Sequence, residues 1–313
     1  MQATAVTFKE PEQLALRTLD LTPPAESDAV VDILWSGIST GTERLLWSGR
    51  MPPFPGMGYP LVPGYESVGL VTHAPESSGL ECGHTVFVPG ARCFGEVRGL
   101  FGAAASRVVV PAQKLLPIDA QLGERGILLA LAATAYHALS APGAAKPERI
   151  VGHGVLGRLL ARLTIALGSP APIVWERNRK RMDGAANYLV MDPADDPIRD
   201  FHVIYDVSGD CQLLDALIAR LAPGGEIVLA GFYSEPLSFA FPPAFLREAR
   251  IRVAAEWRQP DLTAVRDLVD TGRLSLDGLI THRETAKRAA SAYGIAFADP
   301  ECLKMVLDWR SLS

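Results

Sequence analysis

The sequence predicts an α/β fold, with a parallel, doubly wound sheet in the second half and a β-rich region ahead of it. Three observations carry that reading. The first third holds short β-branched runs separated by turn-rich loops. From Arg149 onward, apolar runs of strand length alternate with helix-like segments. A glycine-rich turn, Gly152-His153-Gly154-Val155-Leu156-Gly157, sits where a strand should pass into a helix. At 313 residues the chain is long enough for about two domains.

The elements follow in order. Residues 29–35 (AVVDILW), 67–72 (SVGLVT) and Thr85–Val88 read as strands. The prolines of residues 48–64 forbid a regular helix or central strand there. Residues 122–141 are rich in Ala and Leu and read as one long or two short buried helices. Residues 142–147 (PGAAKP) punctuate the chain. Arg149–Val151 is a short strand and residues 155–167 an apolar helix. Strands are expected at residues 171–176, 188–191 and 203–207, and a helix over 211–221 closed by Pro223-Gly224-Gly225. Two more strands, 226–232 and 250–255, precede a mostly helical tail interrupted near residues 277–283.

Composition excludes several classes. Lys plus Arg is 30 against 35 Asp plus Glu, a net charge of −5 that lacks the basic surplus nucleic-acid binding wants. Four cysteines, widely spread, are too few for a disulfide scaffold. No signal-peptide pattern opens the chain, and no apolar run reaches the ~20 residues of a membrane span, so a cytoplasmic protein without an integral membrane segment is expected.

The glycine turn has a mechanism. The first Gly permits a tight turn, the second lets backbone approach a pyrophosphate, and the third lets helix and strand pack closely. The helix start supplies free N–H groups to the anion. Gly152, His153, Gly154, Val155, Leu156 and Gly157 are therefore the predicted dinucleotide site of a Rossmann domain. Glu176 ends the next strand, where a carboxylate accepts hydrogen bonds from ribose hydroxyls and repels the 2′-phosphate of NADP. NAD is the expected cofactor. Arg177, with Arg179, Lys180 and Arg181, argues for NADP instead, or is a solvated helix start. Ser208, Gly209, Gly231 and Phe232 follow later strands and are assigned to the cofactor's nicotinamide half.

The arrangement resembles the medium-chain dehydrogenase/reductase superfamily. The matching segments are GISTGTE (37–43), VPGYE (62–66), TAYHAL (134–139), the glycine turn and residues 221–231. The resemblance implies a GroES-like catalytic domain over residues 1–121 and 281–313, and a Rossmann domain over 122–280. SGISTGTE, MPPFPGMGYPLVPGY, FAFPPAFLREA and LSLDGLITHR are more narrowly similar to a dehydrogenase family of bacteriochlorophyll biosynthesis. That similarity implies NAD-dependent oxidation of a 3-(1-hydroxyethyl) group to 3-acetyl on a tetrapyrrole substrate. It also implies a homodimer, for which residues 226–241 and 250–257 offer apolar surface.

Zinc-dependent relatives carry a Cys in the first loop and a His in a G-H-E segment. Here Ser39 or Thr40 stands in the first position, and the second reads Gly64-Tyr65-Glu66. Structural zinc wants clustered thiolates and imidazoles, and only Cys82, His84 and Cys93 are loosely grouped. No metal is expected. Alcohol oxidation still needs a base for the hydroxyl proton, so Ser39, Thr40, Tyr65 and Glu66 are the catalytic candidates. Tyr65 is equally a packed aromatic, Glu66 a buried carboxylate paired with an arginine, and Ser39 and Thr40 local turn residues. Met51, Phe54, Met57 and Tyr59 are candidates for an apolar substrate wall, against a loop tucked onto its own domain. Two other functions fit the same residues: a zinc-free NADPH-dependent quinone or enoyl reductase, and a non-enzymatic dinucleotide-binding regulator.

Overall fold

The computed structural model describes residues 1–312. The chain divides into two compact units, Met1–Ala130 with Asp277–Ser313, and Leu131–Leu276.

The first unit is built on strand Asp28–Ile38, whose apolar run makes it the centre of a seven-stranded sheet. In spatial order the strands are His282–Thr285, Met305–Asp308, Asp28–Ile38, Ser67–His73, Thr85–Val88 and Leu116–Pro117. Arg107–Pro111 also pairs with Asp28–Ile38. Ile33, Phe87 and Trp309 are buried within this unit. A second, four-stranded sheet starts from an antiparallel hairpin, Gln2–Glu10 with Gln13–Asp20. The sequence reading lacks this hairpin because its outer strand, QLALRTLD, is mostly solvated and carries little apolar alternation.

Residues 122–141 divide differently from expectation. Ala120–Leu128 is a 3-10 segment broken at Gly123, which has φ +55°, and belongs to the first unit. The α-helix begins only at Leu129 and runs to Ser140. The tail also differs. Helices Gln259–Asp270 and Ala289–Ala298 form, but His282–Thr285 and Met305–Asp308 return as strands. HRET is too polar to be read as a strand. Its partner pairs Met305 with Ile38, which brings Lys304 beside the end of the central strand.

The second unit carries a six-stranded parallel sheet. Its spatial order is Leu189–Met191, Ile173–Trp175, Arg149–Val151, Phe201–Asp206, Leu221–Leu229 and Arg250–Val253, the 3-2-1-4-5-6 order of a doubly wound fold. Helix Val155–Ala166 crosses from the first strand to the second. The next crossover holds only the 3-10 turn Arg179–Arg181. A buried cluster anchors the loop that follows the third strand. Asp196 accepts from Arg149 Nε at 2.7 Å and Trp175 Nε1 at 2.9 Å, and the Arg149 guanidinium lies 4.2 Å from the Phe201 ring centre.

The expected 211–221 helix shrinks to Leu214–Ile218. The fifth strand begins at Leu221, before Pro223-Gly224-Gly225, rather than after it. Leu221 pairs with Phe201 and Glu226 with Val203, so the intervening residues bulge. Pro223 has no N–H for the ladder, and Gly224 takes φ +74°. Among the described residues, no helix is long and apolar enough to cross a membrane.

Candidate active site

The glycine turn leaves strand Arg149–Val151 and opens helix Val155–Ala166, with Gly154 at its N-cap. Gly152 has φ +102°, which side chains rarely adopt. A Cβ on Gly157 would come 1.9 Å from the Gly152 carbonyl oxygen, so only glycine lets the helix pack there. A Cβ on Gly154 would meet nothing within 4 Å. The second glycine thus faces open space at a helix N-terminus, and the turn fits a dinucleotide pyrophosphate. Val155 is buried in the first helical turn, and Leu156 is half-buried.

The Glu176 carboxylate grips this turn. One oxygen accepts the His153 N–H at 3.1 Å, the other the Asn178 N–H at 2.8 Å. The His153 side chain is fully buried, with Nδ1 2.6 Å from the Arg181 carbonyl and Nε2 2.8 Å from the Tyr188 hydroxyl. Burial pushes its pKa down to about 4, so the ring is neutral at physiological pH. Arg177 is exposed.

Arg158 follows the last glycine and was missed from sequence. It is buried and donates to the carbonyls of His153, Arg181, Asp183 and Gly184 at 2.6–3.1 Å. One guanidinium thus fastens the segment that a crossover helix would otherwise hold. Its signal was a pair of arginines, Arg158 and Arg162, one turn apart in the otherwise apolar VLGRLLARLTIA.

Ser208, Gly209, Gly231 and Phe232 come together with Gly152 at the carboxyl ends of the strands. A Cβ on Gly152 would lie 3.4 Å from Ser208 Cα, and one on Gly209 3.3 Å from the Phe232 carbonyl. Ser208 N–H donates to the buried Asp206 carboxylate at 2.9 Å. Burial raises the Asp206 carboxyl, against the hydrogen bonds from Ser208. The Phe232 side chain is 54% exposed.

The first unit gathers a separate cluster of hydroxyl and carboxyl groups. Ser39 follows the central strand, and Tyr65 and Glu66 precede strand Ser67–His73. Ser39 Oγ and the Tyr65 hydroxyl are 2.8 Å apart. Tyr65 stacks edge-on against Phe101 at 5.5 Å. Burial raises the Tyr65 pKa well above the ordinary tyrosine value, and neighbouring Glu66 raises it further. Tyr65 therefore stays protonated at neutral pH. Thr40 is half-buried beside this pair in sequence.

Behind the hydroxyls lie groups the sequence reading did not include. Glu43, in helix Thr42–Ser48, accepts the Ser39 N–H at 3.3 Å and the Tyr293 hydroxyl at 2.6 Å. Burial pushes Glu43 up to about 8, with Glu66 adding to the rise. Glu66 is fully buried, and its partner is a lysine, not the expected arginine: Lys304 Nζ lies 2.6 Å from Oε2. Long sequence separation hid both Lys304 and Tyr293. Only Glu43 had a local signal, as the acid closing GISTGTE.

The donor chemistry does not fit zinc. The replacing residues bring hydroxyls, and Glu66 is already bound to an ammonium. Among the described residues, no group of three or more His, Cys, Asp or Glu is placed to hold a metal ion. Cys82 is exposed and Cys93 buried.

The proposed substrate wall packs largely on its own unit. Met51 is buried in the core, and Phe54, Met57 and Tyr59 lie half-buried against it. The Tyr59 hydroxyl donates to the Leu46 carbonyl.

The model of the alcohol dehydrogenase GroES-like domain matches residues 25–120. A 2-desacetyl-2-hydroxyethyl bacteriochlorophyllide A dehydrogenase of Cereibacter sphaeroides is 56% identical to this chain, over 99% of each. The chain belongs to that dehydrogenase family. As a member of the 2-desacetyl-2-hydroxyethyl bacteriochlorophyllide A dehydrogenase family, it is an oxidoreductase of the alcohol dehydrogenase type, within the medium-chain dehydrogenase/reductase superfamily. Its fold is shared with more distant proteins. A short chain alcohol dehydrogenase from E. coli CFT073, solved with NADH, superposes with a TM-score of 0.83 at 20% identity, over 98% of this chain and 99% of that one. A Sinorhizobium meliloti 1021 protein bound to NADP gives 0.81 at 20% identity, over 98% and 99%.

Proposed function

We propose that this protein is an NAD-dependent, zinc-free secondary-alcohol dehydrogenase that oxidises the 3-(1-hydroxyethyl) group of a bacteriochlorophyllide to 3-acetyl. The observation that carries the reading is the end-to-end identity with a dehydrogenase named for that substrate class. The chemistry of the residues supports it. Gly152, Gly154 and Gly157, with Glu176, would hold the dinucleotide. When bound, NAD supplies the acceptor for the hydride leaving the carbinol carbon. Ser39 and Tyr65 form a hydroxyl pair suited to take the alcohol proton and hand it on. Thr40 is a further hydroxyl on the same loop. The C–O bond becomes C=O as the O–H proton and the C–H hydride depart.

Glu176 at the end of Ile173–Trp175 supports NAD, because a carboxylate there opposes a 2′-phosphate. The exposed Arg177, Arg179 and Lys180 favour a second reading, an NADPH-dependent quinone or enoyl reductase. We read the protein as a cytoplasmic homodimer joined at strand Arg250–Val253. That strand is the open edge of its sheet, and Val253 is 75% exposed.

The test mixes purified protein with 3-hydroxyethyl bacteriochlorophyllide a and NAD, then NADP, with and without a chelator. The pigment absorption shift and NADH formation are followed together. Chelator-resistant turnover with NAD supports the proposal. Chelator-sensitive turnover overturns the zinc-free part, and preference for NADP with a quinone selects the second reading. Cofactor binding without any turnover selects the regulatory one.

A further inference from the structure

Every polar atom of His153 is engaged. Its N–H donates to Glu176 Oε2 at 3.1 Å, and its carbonyl accepts from Arg158 Nε at 3.0 Å. Its ring spans from the Arg181 carbonyl, 2.6 Å from Nδ1, to the Tyr188 hydroxyl, 2.8 Å from Nε2. A carbonyl only accepts, so Nδ1 carries the ring proton, and Nε2 of the neutral ring accepts from the Tyr188 O–H. The Tyr188 ring also meets the imidazole edge-on, with centres 5.6 Å apart. The residue between the first two glycines is thus bonded to both ends of the segment joining strand Ile173–Trp175 to strand Leu189–Met191, at Glu176 and at Tyr188.

Arg158 fastens the middle of that segment. A parallel crossover ordinarily carries a helix, and this one carries the 3-10 turn Arg179–Arg181. The buried guanidinium donates from Nη2 to the Arg181 and Asp183 carbonyls at 3.0 and 2.6 Å, and from Nη1 to the Gly184 carbonyl at 3.1 Å. The chain is shaped around it. Gly184 has φ +83°, and a Cβ there would lie 2.4 Å from Nη1. These acceptors, with the His153 carbonyl, are all backbone, so the arginine holds chain to chain.

In a doubly wound fold a dinucleotide's pyrophosphate lies on the glycine turn and its ribose at the acid that ends the second strand. Gly154 and Glu176 stand at those two places, and His153 bonds one to the other. We propose that His153 and Arg158 are positioning residues for the coenzyme: they lock Glu176 and residues 177–188 to the glycine turn, so the adenosine half meets a surface that is ordered before it binds. The inference rests on the dinucleotide reading above. A segment already ordered does not have to be fixed on binding, and the saving appears as affinity.

The experiment uses ADP-ribose, which is the adenosine half with its pyrophosphate. It measures ADP-ribose affinity by calorimetry, amide hydrogen exchange of residues 177–188 without ligand, and Tm, for wild type, Arg158→Met, Arg158→Lys and Tyr188→Phe. Arg158→Met should weaken ADP-ribose about 10-fold, the scale of one or two side chains' worth of ordering. Exchange across 177–188 should quicken in the free variant and slow again with ADP-ribose, while strand Arg250–Val253 exchanges as in wild type. Arg158→Lys keeps the charge without the planar fork, so it should behave as Arg158→Met does. Tyr188→Phe removes one hydroxyl and should show a smaller loss of the same kind; it carries the test if the Arg158 variants do not fold. Wild-type ADP-ribose affinity beside a lowered Tm would overturn the proposal, as would unchanged exchange in 177–188 or quickened exchange everywhere. Full affinity in Arg158→Lys would overturn it too, by making the arginine a charge rather than a fastener. Wild-type protein that binds neither ADP-ribose nor NADH defeats the dinucleotide reading itself, and this proposal with it.

Discussion

Lys304 and Glu66 come from opposite ends of the chain and meet as a buried ion pair, 2.6 Å apart. The contact depends on the returning strand Met305–Asp308, whose register places Met305 opposite Ile38. The tail is therefore part of the candidate site's construction. It supplies a cation at the end of the strand from which Ser39 projects, and it brings Tyr293 to Glu43.

Glu43 should make stability fall as pH rises. Its carboxyl is lifted from an ordinary 4.5 to about 8, chiefly by burial. Between those values the unfolded chain has released a proton that the folded chain still holds. The contribution is complete below the unfolded value and is lost as pH climbs through the folded one. Glu43→Gln stays neutral and keeps an acceptor for Ser39 N–H. Urea midpoints of wild type should decline across this window by the equivalent of a few kcal/mol, and those of Glu43→Gln should decline less. Parallel curves would refute the assignment.

Tyr65→Phe and Ser39→Ala should separate chemistry from cofactor binding. Each removes one hydroxyl of a pair 2.8 Å apart, in the unit that lacks the glycine turn. General acid–base contributions are typically about 10²–10⁴-fold, so kcat should fall within that range while NADH affinity holds. The double variant should lose little more than the worse single one, because the two hydroxyls act as one relay. Wild-type kcat in Tyr65→Phe would leave the tyrosine as a packed aromatic.

The sequence made the dinucleotide turn legible because its chemistry is local. Strand, glycines, helix and acid fall between Arg149 and Glu176, and each glycine has a separate steric reason. The replacement of zinc-ligand residue types was legible for the same reason, since Ser39 and Tyr65 stand at those places in the sequence. What stayed hidden was non-local. Nothing near Glu66 announces Lys304, and HRET has no strand pattern until its neighbour is known. Arg158 and the Arg149–Asp196 pair were hidden differently. They stand in for a crossover helix whose absence cannot be inferred from the charged residues alone.

Gly154→Ala and Gly157→Ala should fail in opposite ways. Alanine at 154 meets nothing in the protein, so Tm should be unchanged while dinucleotide affinity drops. Alanine at 157 collides with the Gly152 carbonyl at 1.9 Å, so the fold itself should be destabilised. Thermal unfolding with and without NADH distinguishes the two. Full NADH affinity in Gly154→Ala would remove the pyrophosphate from this turn.

Arg149→Met should cost about 3–5 kcal/mol, the usual penalty for stranding one member of a buried ion pair. Burial works to raise Asp196, but Arg149, the Ile198 N–H and Trp175 together hold it below the usual carboxylate range. Its stabilising contribution is present above the unfolded value and disappears as pH falls through the folded one. The variant's deficit in urea midpoint should therefore shrink in acid. A constant deficit would assign the loss to the Phe201 stacking instead.

Val253→Lys should prevent self-association. Among the described residues, strand Arg250–Val253 pairs only with Leu221–Leu229, leaving its other backbone edge open. Val253 and Ile251 on that strand are exposed, as are Phe241, Phe245 and Leu246 on the helix before it. An uncovered apolar edge invites another strand, and a lysine on the edge strand is a common way to block one. Light scattering should give a dimer for wild type and a monomer for the variant, with NADH affinity retained because the glycine turn lies on a different strand. A wild-type monomer would discard the dimer, and a dimeric Val253→Lys would move the interface away from this edge.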